Sequence, residues 1–419
     1  MLLCGTLVGA DWPQFRGPQR DGISRETGLL QRWPEGGPPL LWRAHGIGRG
    51  YSSAALLADT LVITGDSGED LVVTALEPLT GATRWHTTHG RSWRGPYPGA
   101  RATCTLTEGK LFLLNAHGRL LCADLADGRE LWSVDILERF QGHNIQWGLS
   151  ECLLLEAGRV IVTAGGDLAF LAALDGATGE TVWTGPPLAF TRTVAFGGKP
   201  VDPPVAAVDR AGYASPIAFE VAGKRLLAAV GARHLVVADA ANGALLWTRE
   251  LPVVYDVIGA IPAWSGSGLV FSAPDVGTLC FGVTLEGAKV TVSERWRHPS
   301  DSCHGGLLPL GDALYGSGYR LFRPWVCLDA ASGALRYERR DLAEGCLLYA
   351  DGCLYALSQK GEMALLQPTP TGFVDLGRFR LPGDPAADVW SHPAIANGRL
   401  FIRRHDDLFC YDLRASPPP

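Results

Sequence analysis

Short apolar runs separated by turn-forming residues recur along the chain, in the pattern of strands rather than helices. The clearest copy is Ala173 to Trp183, Ala-Leu-Asp-Gly-Ala-Thr-Gly-Glu-Thr-Val-Trp. Ala172-Ala173-Leu174-Asp175 reads as the end of one strand and Thr181-Val182-Trp183 as part of the next. Between them, Asp175 can accept hydrogen bonds from amides two or three residues on, and Gly179 can take the left-handed conformation such a hairpin needs. Trp183 stands on the outgoing strand, where its ring can be buried against a neighbouring unit.

The same spacing of small residue, Asp, Gly and aromatic returns at Cys122 to Trp132, Val237 to Trp247 and Cys327 to Tyr337. It returns again at Ala75 to Trp85, with Glu77 in place of the Asp. Upstream of each turn lie two more short apolar strands, split by pairs such as Ala58-Asp59, Ala157-Gly158, Ala222-Gly223, Asp351-Gly352 and Asn397-Gly398. Each unit is therefore a four-stranded antiparallel meander, repeating every roughly 40–50 residues. Such a sheet cannot bury both faces alone, and copies stacked around an axis solve the problem. Trp42, Trp85, Trp132, Trp183, Trp247, Trp296, Tyr337 and Phe379 anchor eight units. The last unit, from Ser391 to Asp412, lacks an outer strand, and Pro39-Leu40-Leu41-Trp42-Arg43 is an outer strand without a unit. The predicted fold is an all-β, eight-bladed β-propeller of four-stranded antiparallel blades, closed by the N-terminal strand completing the last blade.

The organisation expected is a remnant of a signal peptide at 1–10, an irregular wrap at 11–38, one propeller over 39–415 and a tail at 416–419. The long gap between Trp183 and Trp247 marks an irregular insertion at 190–212, rich in Pro and Gly. Composition narrows the partners. The net charge of −6 offers no basic footprint for nucleic acid. No apolar run is long enough to span a membrane, and a monomer is expected. Met1 to Asp11 resembles the end of a secretion signal, with a small-x-small exit at Val8-Gly9-Ala10, so a periplasmic or otherwise exported protein is expected. Leu3 argues against a lipid anchor on Cys4. Cys122, Cys327 and Cys410 share one inward strand position and read as small buried hydrophobes. Pairing Leu348 with Cys353 would set Tyr355 opposite Cys346, which keeps those two sulfurs apart as well, so free thiols are expected.

Residues opening the innermost strands should rim the axial channel: Tyr51, Arg101, Glu151, Tyr213, His304, Glu344, Trp390 and His392, with Ser53, Thr103 and Ser215. The linker containing Arg91, Trp93, Arg94, Tyr97 and Arg101, and that containing Trp147, lie on the same face, where loops carry function more often than strands do. Tyr51, Arg94, Arg101, Trp147, Glu151, Tyr213, His304, Glu344, Trp390 and His392 are thus the candidate binding residues. His298, Asp301, Cys303 and His304 are close in sequence, but no second cluster completes a zinc-type site, and no metal ligands are assigned. No Ser-His-Asp order, nucleotide-binding glycine motif or HExxH occurs, so no catalytic residue is assigned.

The Ala-x-Asp-x-x-x-Gly-x-x-x-Trp repeat resembles the quinoprotein, or PQQ-like, β-propeller family over essentially the whole chain. Gly50-Tyr51-Ser52-Ser53, Ala211 to Pro216 and Leu347 to Gly352 resemble its exported bacterial branch, related to the outer-membrane assembly lipoprotein, which carries no cofactor. The family also contains quinone-dependent dehydrogenases. Their quinone rests on a disulfide between adjacent cysteines, and this chain has no Cys-Cys pair. The resemblance therefore implies the fold more than the catalysis. The function expected is a non-catalytic, exported scaffold without cofactor, binding a protein, peptide or glycan across its loop-rich channel face. The alternative is a PQQ-dependent oxidoreductase, with Glu151 and Asp301 near a calcium ion and Arg101 on the quinone carboxylates.

Overall fold

A computed structural model of the protein describes residues 11–415, so the expected signal remnant at 1–10 and tail at 416–419 lie outside the described residues. Eight four-stranded antiparallel sheets form the blades, at 55–91, 105–135, 154–184, 217–250, 263–298, 307–339 and 345–380, with 394–412 completed by Leu40–His45. That N-terminal strand lies outermost on the last blade, placing Trp42 opposite Cys410 and Ala44 opposite Leu408. Arg43 fastens the joint, with Nε and Nη2 donating to the two oxygens of Asp407 at 2.7 and 2.9 Å.

The repeat works as its residues suggest, with one addition. The Asp175 carboxylate accepts from the amides of Ala177 and Thr178 at 2.8 and 2.9 Å, and Gly179 has φ 74°. Gly179 also has a second role. A Cβ there would lie 2.5 Å from the Trp132 ring of the preceding blade, and one at Gly128 would lie 2.6 Å from Trp85. Trp42, Trp183 and Trp296 are seated in the same way on the bare Gly81, Gly243 and Gly333 of the following blade. The indole N–H of Trp42, Trp85 and Trp296 donates to a carbonyl of the same turn, at Pro78, Leu125 and Ala330. Burying an aromatic against the next unit while satisfying its polar edge locks neighbouring blades in register. The fifth blade has no copy of this turn and instead has the two longest strands, Gly277–Glu286 and Lys289–His298.

Two expectations are corrected. The 190–212 insertion is not irregular, since Ala189–Val194 and Pro200–Val208 form a two-stranded hairpin. The Leu348–Cys353 register is also wrong. The two-residue turn Asp351-Gly352, with φ of 46° and 83°, pairs Ala350 with Cys353 and sets Leu348 opposite Tyr355. Cys346 then faces Leu357, and all nine described cysteines are free and buried. The segment 11–38 forms no strand and lies across one face of the ring, reaching both sides of the axis. Trp12 exchanges two backbone hydrogen bonds with Leu56 of the first blade, and Pro13 accepts from Leu106 of the second. Arg20 reaches the Cys152 and Leu153 carbonyls of the third blade, and Arg16 those of Gly305 and Leu307 at the sixth. Glu26 caps the amides of Asn397 and Gly398 in the eighth. This strap ties the inner strands together at the end of the channel remote from the linkers.

Candidate functional site

Above the strap, the channel opens into a cavity of about 470 Å³. Phe15 of the strap contributes to its floor, its ring edge-on to His392 at 4.8 Å. Tyr51, Arg101, Trp147, Tyr213, His304, Glu344, Trp390 and His392 all line it, so most of the expected rim is brought together. Two candidates are not. Arg94 is exposed on the first blade's upper turn, paired with Glu69 at 3.2 Å. Glu151 is 2% exposed, and both its oxygens accept from the Thr163 amide at 3.1 and 3.2 Å. Burial pushes its pKa up to about 7.

The walls are aromatic. Trp390 is stacked between Tyr51 and His304, each ring centroid 4.8 Å away. Tyr97 stands edge-on to Trp390 at 5.1 Å, and Trp147 meets Tyr97, Tyr213 and Phe196 at 6.4, 6.0 and 5.9 Å. The crescent continues through Tyr255, 5.5 Å from Phe196, to Arg320, whose guanidinium lies over Tyr255 and Tyr319 at 5.5 and 4.7 Å. Phe196, Tyr255 and Tyr319 were missed by the sequence reading. For Phe196 and Tyr255 the available signal was aromatics in loops that enter inner strands, which had already singled out Tyr97 and Trp147; Tyr319 lies between the second and third strands of its blade, where that signal does not reach.

Phe196 reaches the mouth because the hairpin is pinned across it. The Asp256 carboxylate takes Arg192 at 3.1 Å and the buried Arg233 on its other oxygen, while the Gly197 amide donates to the Val254 carbonyl. Removing one partner of such a buried cluster leaves charge uncompensated. Asp256→Asn is therefore expected to free the hairpin, raising its proteolysis at the 195–199 tip about tenfold by weakening it on the order of 1.4 kcal/mol. Unchanged cleavage would show that backbone contacts alone hold it.

Most polar groups of the inner ring are already committed. The His392 amide donates to Ser53 Oγ, the Ser53 amide to Thr103 Oγ1, the Thr103 amide to Cys152 Sγ and the Cys152 amide to Ser215 Oγ. This girdle explains the small polar residues at these positions, which sew blades together rather than await a ligand. Arg101 is similarly spent, donating to the carbonyls of Pro96, Tyr97, Gly99 and Trp147. Desolvation holds the imidazoles of His304 and His392 well below their usual range, so both are neutral at pH 7. Glu344 is pushed up to about 7, by desolvation first and by the nearby Asp301 charge.

The two raised carboxyls predict a pH dependence. A folded-state pKa of about 7 for Glu151 and Glu344 lies above the unfolded value of 4.5, so the native state binds more protons between these values. Their contribution is fully present below about pH 4.5 and is lost as pH rises towards 7. Glu151→Gln combined with Glu344→Gln should raise the thermal midpoint relative to the parent more at pH 7.5 than at pH 5, with an effect on the order of 2 kcal/mol. Equal shifts at the two pH values would refute the assignment.

Blades, closure and an aromatic mouth define the molecule as an eight-bladed β-propeller with a lined axial pocket. Residues 69–201 match the family model described as outer membrane protein assembly factor BamB, which accords with the PQQ-like resemblance of the repeats. No curated protein matches the chain. Among solved structures, BamB from Moraxella catarrhalis is similar at 15% identity and a TM-score of 0.59, covering 91% of this chain and 99% of that one. The quinohemoprotein alcohol dehydrogenase from Comamonas testosteroni is similar at 11% identity and a TM-score of 0.53, covering 98% of this chain and 82% of that one. The computationally designed Ika8 protein, at 11% identity, reaches 0.56 over 90% of this chain and all of its own. At such identities the likeness is one of fold. No helix among the described residues is long and apolar enough to cross a membrane.

The residues present do not fit quinone and calcium as anticipated. Arg101 gives four of its five N–H groups to carbonyls, and Glu151 is turned into the blade interior. The Asp301 carboxylate is occupied by the amides of Arg320 and Leu321 at 2.9 and 2.8 Å. Of His298, Asp301, Cys303 and His304, Cys303 Sγ and His304 Nε2 meet at 3.7 Å, while His298 Nδ1 accepts from the Ser300 amide. No group of three or more ligating residues gathers among the described residues.

Proposed function

We propose that the protein is a non-catalytic, exported scaffold that holds a partner at the aromatic mouth of its channel. One observation carries this reading: the aromatic crescent from Trp390 through Trp147 to Tyr255 borders a cavity whose strongest polar groups are tied up within the protein. Concave aromatic surfaces of this kind bind by burying area, and a few aromatic anchors supply most of the energy. Export is supported by the match of 69–201 to the BamB model, whose description places that protein in outer-membrane assembly.

The test compares partners retained by the immobilised full chain with those retained by a Trp147→Ala, Tyr213→Ala variant. Loss of retention is expected; equal retention would move the binding face elsewhere. Cell fractionation tests export, which is sunk if the full-length protein stays in the cytoplasm. Incubation with PQQ and calcium, followed by a dye-linked assay on primary alcohols, is expected to give no turnover, and turnover would install the oxidoreductase reading instead.

A further inference from the structure

We propose that the mouth receives the uncharged terminal sugars of a glycan, entering end-on from the linker face. The inference rests on the scaffold reading and deepens it. The first argument is electrostatic. The lining cations are both engaged from within: Arg101 by four carbonyls, and Arg320, its side chain 41% exposed, more loosely by Asp275 at 3.5 Å and by two tyrosine rings. The neutral histidines add nothing for an anion to pair with. An anionic ligand would have to displace these contacts before it met a counter-charge, which is costly.

The second argument concerns peptides. Strand addition needs an unpaired sheet edge, and capture of a terminal carboxylate needs free amides or a free guanidinium. At the mouth the inner strands are sewn to one another by the Ser53, Thr103, Cys152 and Ser215 girdle. The run of amides at 319–322 is already filled by Asp301. A blind funnel is also the wrong shape for the apolar stripe of a helix, which wants a groove.

What the cavity does offer suits a pyranose. Its outer wall presents exposed aromatic faces, Tyr97 at 51%, Phe196 at 43% and Tyr255 at 40% exposed, with Trp147 between them. The negative face of an aromatic ring attracts the weakly positive C–H face of a sugar. Further round the lining, Asp275, Tyr319, Glu344 and Gln359 supply a carboxylate, a phenol, a carboxyl and an amide to which hydroxyls can donate or from which they can accept. The strap beneath Phe15 means that a chain cannot thread through the axis; only an end can enter.

The test titrates trisaccharides ending in glucose, galactose, mannose or N-acetylglucosamine into the full-length protein, to about 10 mM. It reads saturation-transfer NMR, with neutral Tyr- and Pro-containing peptides run in parallel. At least one trisaccharide should bind saturably, with its non-reducing terminal ring receiving the strongest transfer. Affinity should be nearly indifferent to salt, since no ion pair is made. Trp147→Ala should weaken it about 30-fold. Tyr97→Ala, at a more exposed site, should weaken it in the same direction and guards against misfolding of the first variant. Long linear polymers of the same sugar should bind in proportion to their chain ends, and binding in proportion to total sugar would overturn the end-on claim. Trp147-dependent binding of peptides but of no trisaccharide would overturn the sugar assignment and leave the scaffold standing. If neither class binds and partner retention is unaffected by the mouth variants, both readings fall.

Discussion

A chain carrying both Arg16→Met and Arg20→Met is expected to lose about 5 kcal/mol of stability and to lose its grip on any ligand in the cavity. Both guanidiniums are buried and point from the strap to opposite sides of the ring. Arg16 donates to the carbonyls of Asp21, Gly305 and Leu307; Arg20 donates to those of Cys152 and Leu153 and to Gln14 Oε1. Methionine keeps the aliphatic length but leaves these acceptors buried and unmatched, each costing about 1–3 kcal/mol before relaxation. The functional arm follows from Phe15, which precedes Arg16 and helps to form the cavity floor. With its neighbour released, the floor is no longer fixed beneath the aromatic wall. The denaturant midpoint measures the first effect; hydrogen exchange at the Trp12, Ser24 and Leu56 amides, all paired across the strap, reports release of the strap, and titration of a ligand that binds the parent measures the second. A loss below about 1 kcal/mol would mean that the strap is held by its apolar contacts, chiefly Trp12.

Arg403→Met should be nearly as damaging, at about 4 kcal/mol. Arg403 is 1% exposed at the junction of the last and first blades. It donates to the Gly48, Thr64 and His405 carbonyls and to Ser52 Oγ. Burial pushes its pKa down to about 9, so it is still a cation at pH 7. Among the described residues it has no carboxylate partner within salt-bridge distance, and its role is to tie together three segments of backbone. The conservative change is therefore informative. Lysine retains the charge but cannot span four acceptors with a planar fork, and Arg403→Lys should recover little of the loss. Thermal midpoints of the two variants check this; full recovery by lysine would show that charge, not geometry, was what mattered.

The architecture was legible because it repeats. Asp175, Gly179 and Trp183 announce one hairpin, and their copies around the chain leave few ways to bury eight flat sheets. Even there, the repeat hid a reason: Gly128 and Gly179 are bare because Trp85 and Trp132 lie on them, a contact between units that no single unit displays. The site was legible in part. Tyr51, Trp390 and His304 follow from their place at the start of inner strands. Glu151 holds an equivalent position, yet its carboxylate meets a closer amide at Thr163 and turns away from the channel. The hairpin at 189–208 was obscured by Pro203 and Pro204, which weaken a strand signal but are tolerated in an isolated ribbon with no central ladder to break. The strap was invisible for a simpler reason. It has no period, and its partners lie in six different blades.

Closure by Leu40–His45 also fixes the order in which the molecule can be made. Each of the first seven blades has its strands contiguous in sequence and can form while the ribosome is still at work. The eighth cannot, because the first strand synthesised must wait for Asp407–Asp412. At ordinary elongation rates that interval is on the order of half a minute. Throughout it, Leu40–His45 has no ladder partner, and the acceptors of Arg16 at Gly305 and Leu307 and the Glu26 partner Asn397 become available only in its later part. The nascent chain is thus an open arc with a sticky leading edge, and whatever shields that edge until the last blade emerges decides how much of the protein reaches its closed form.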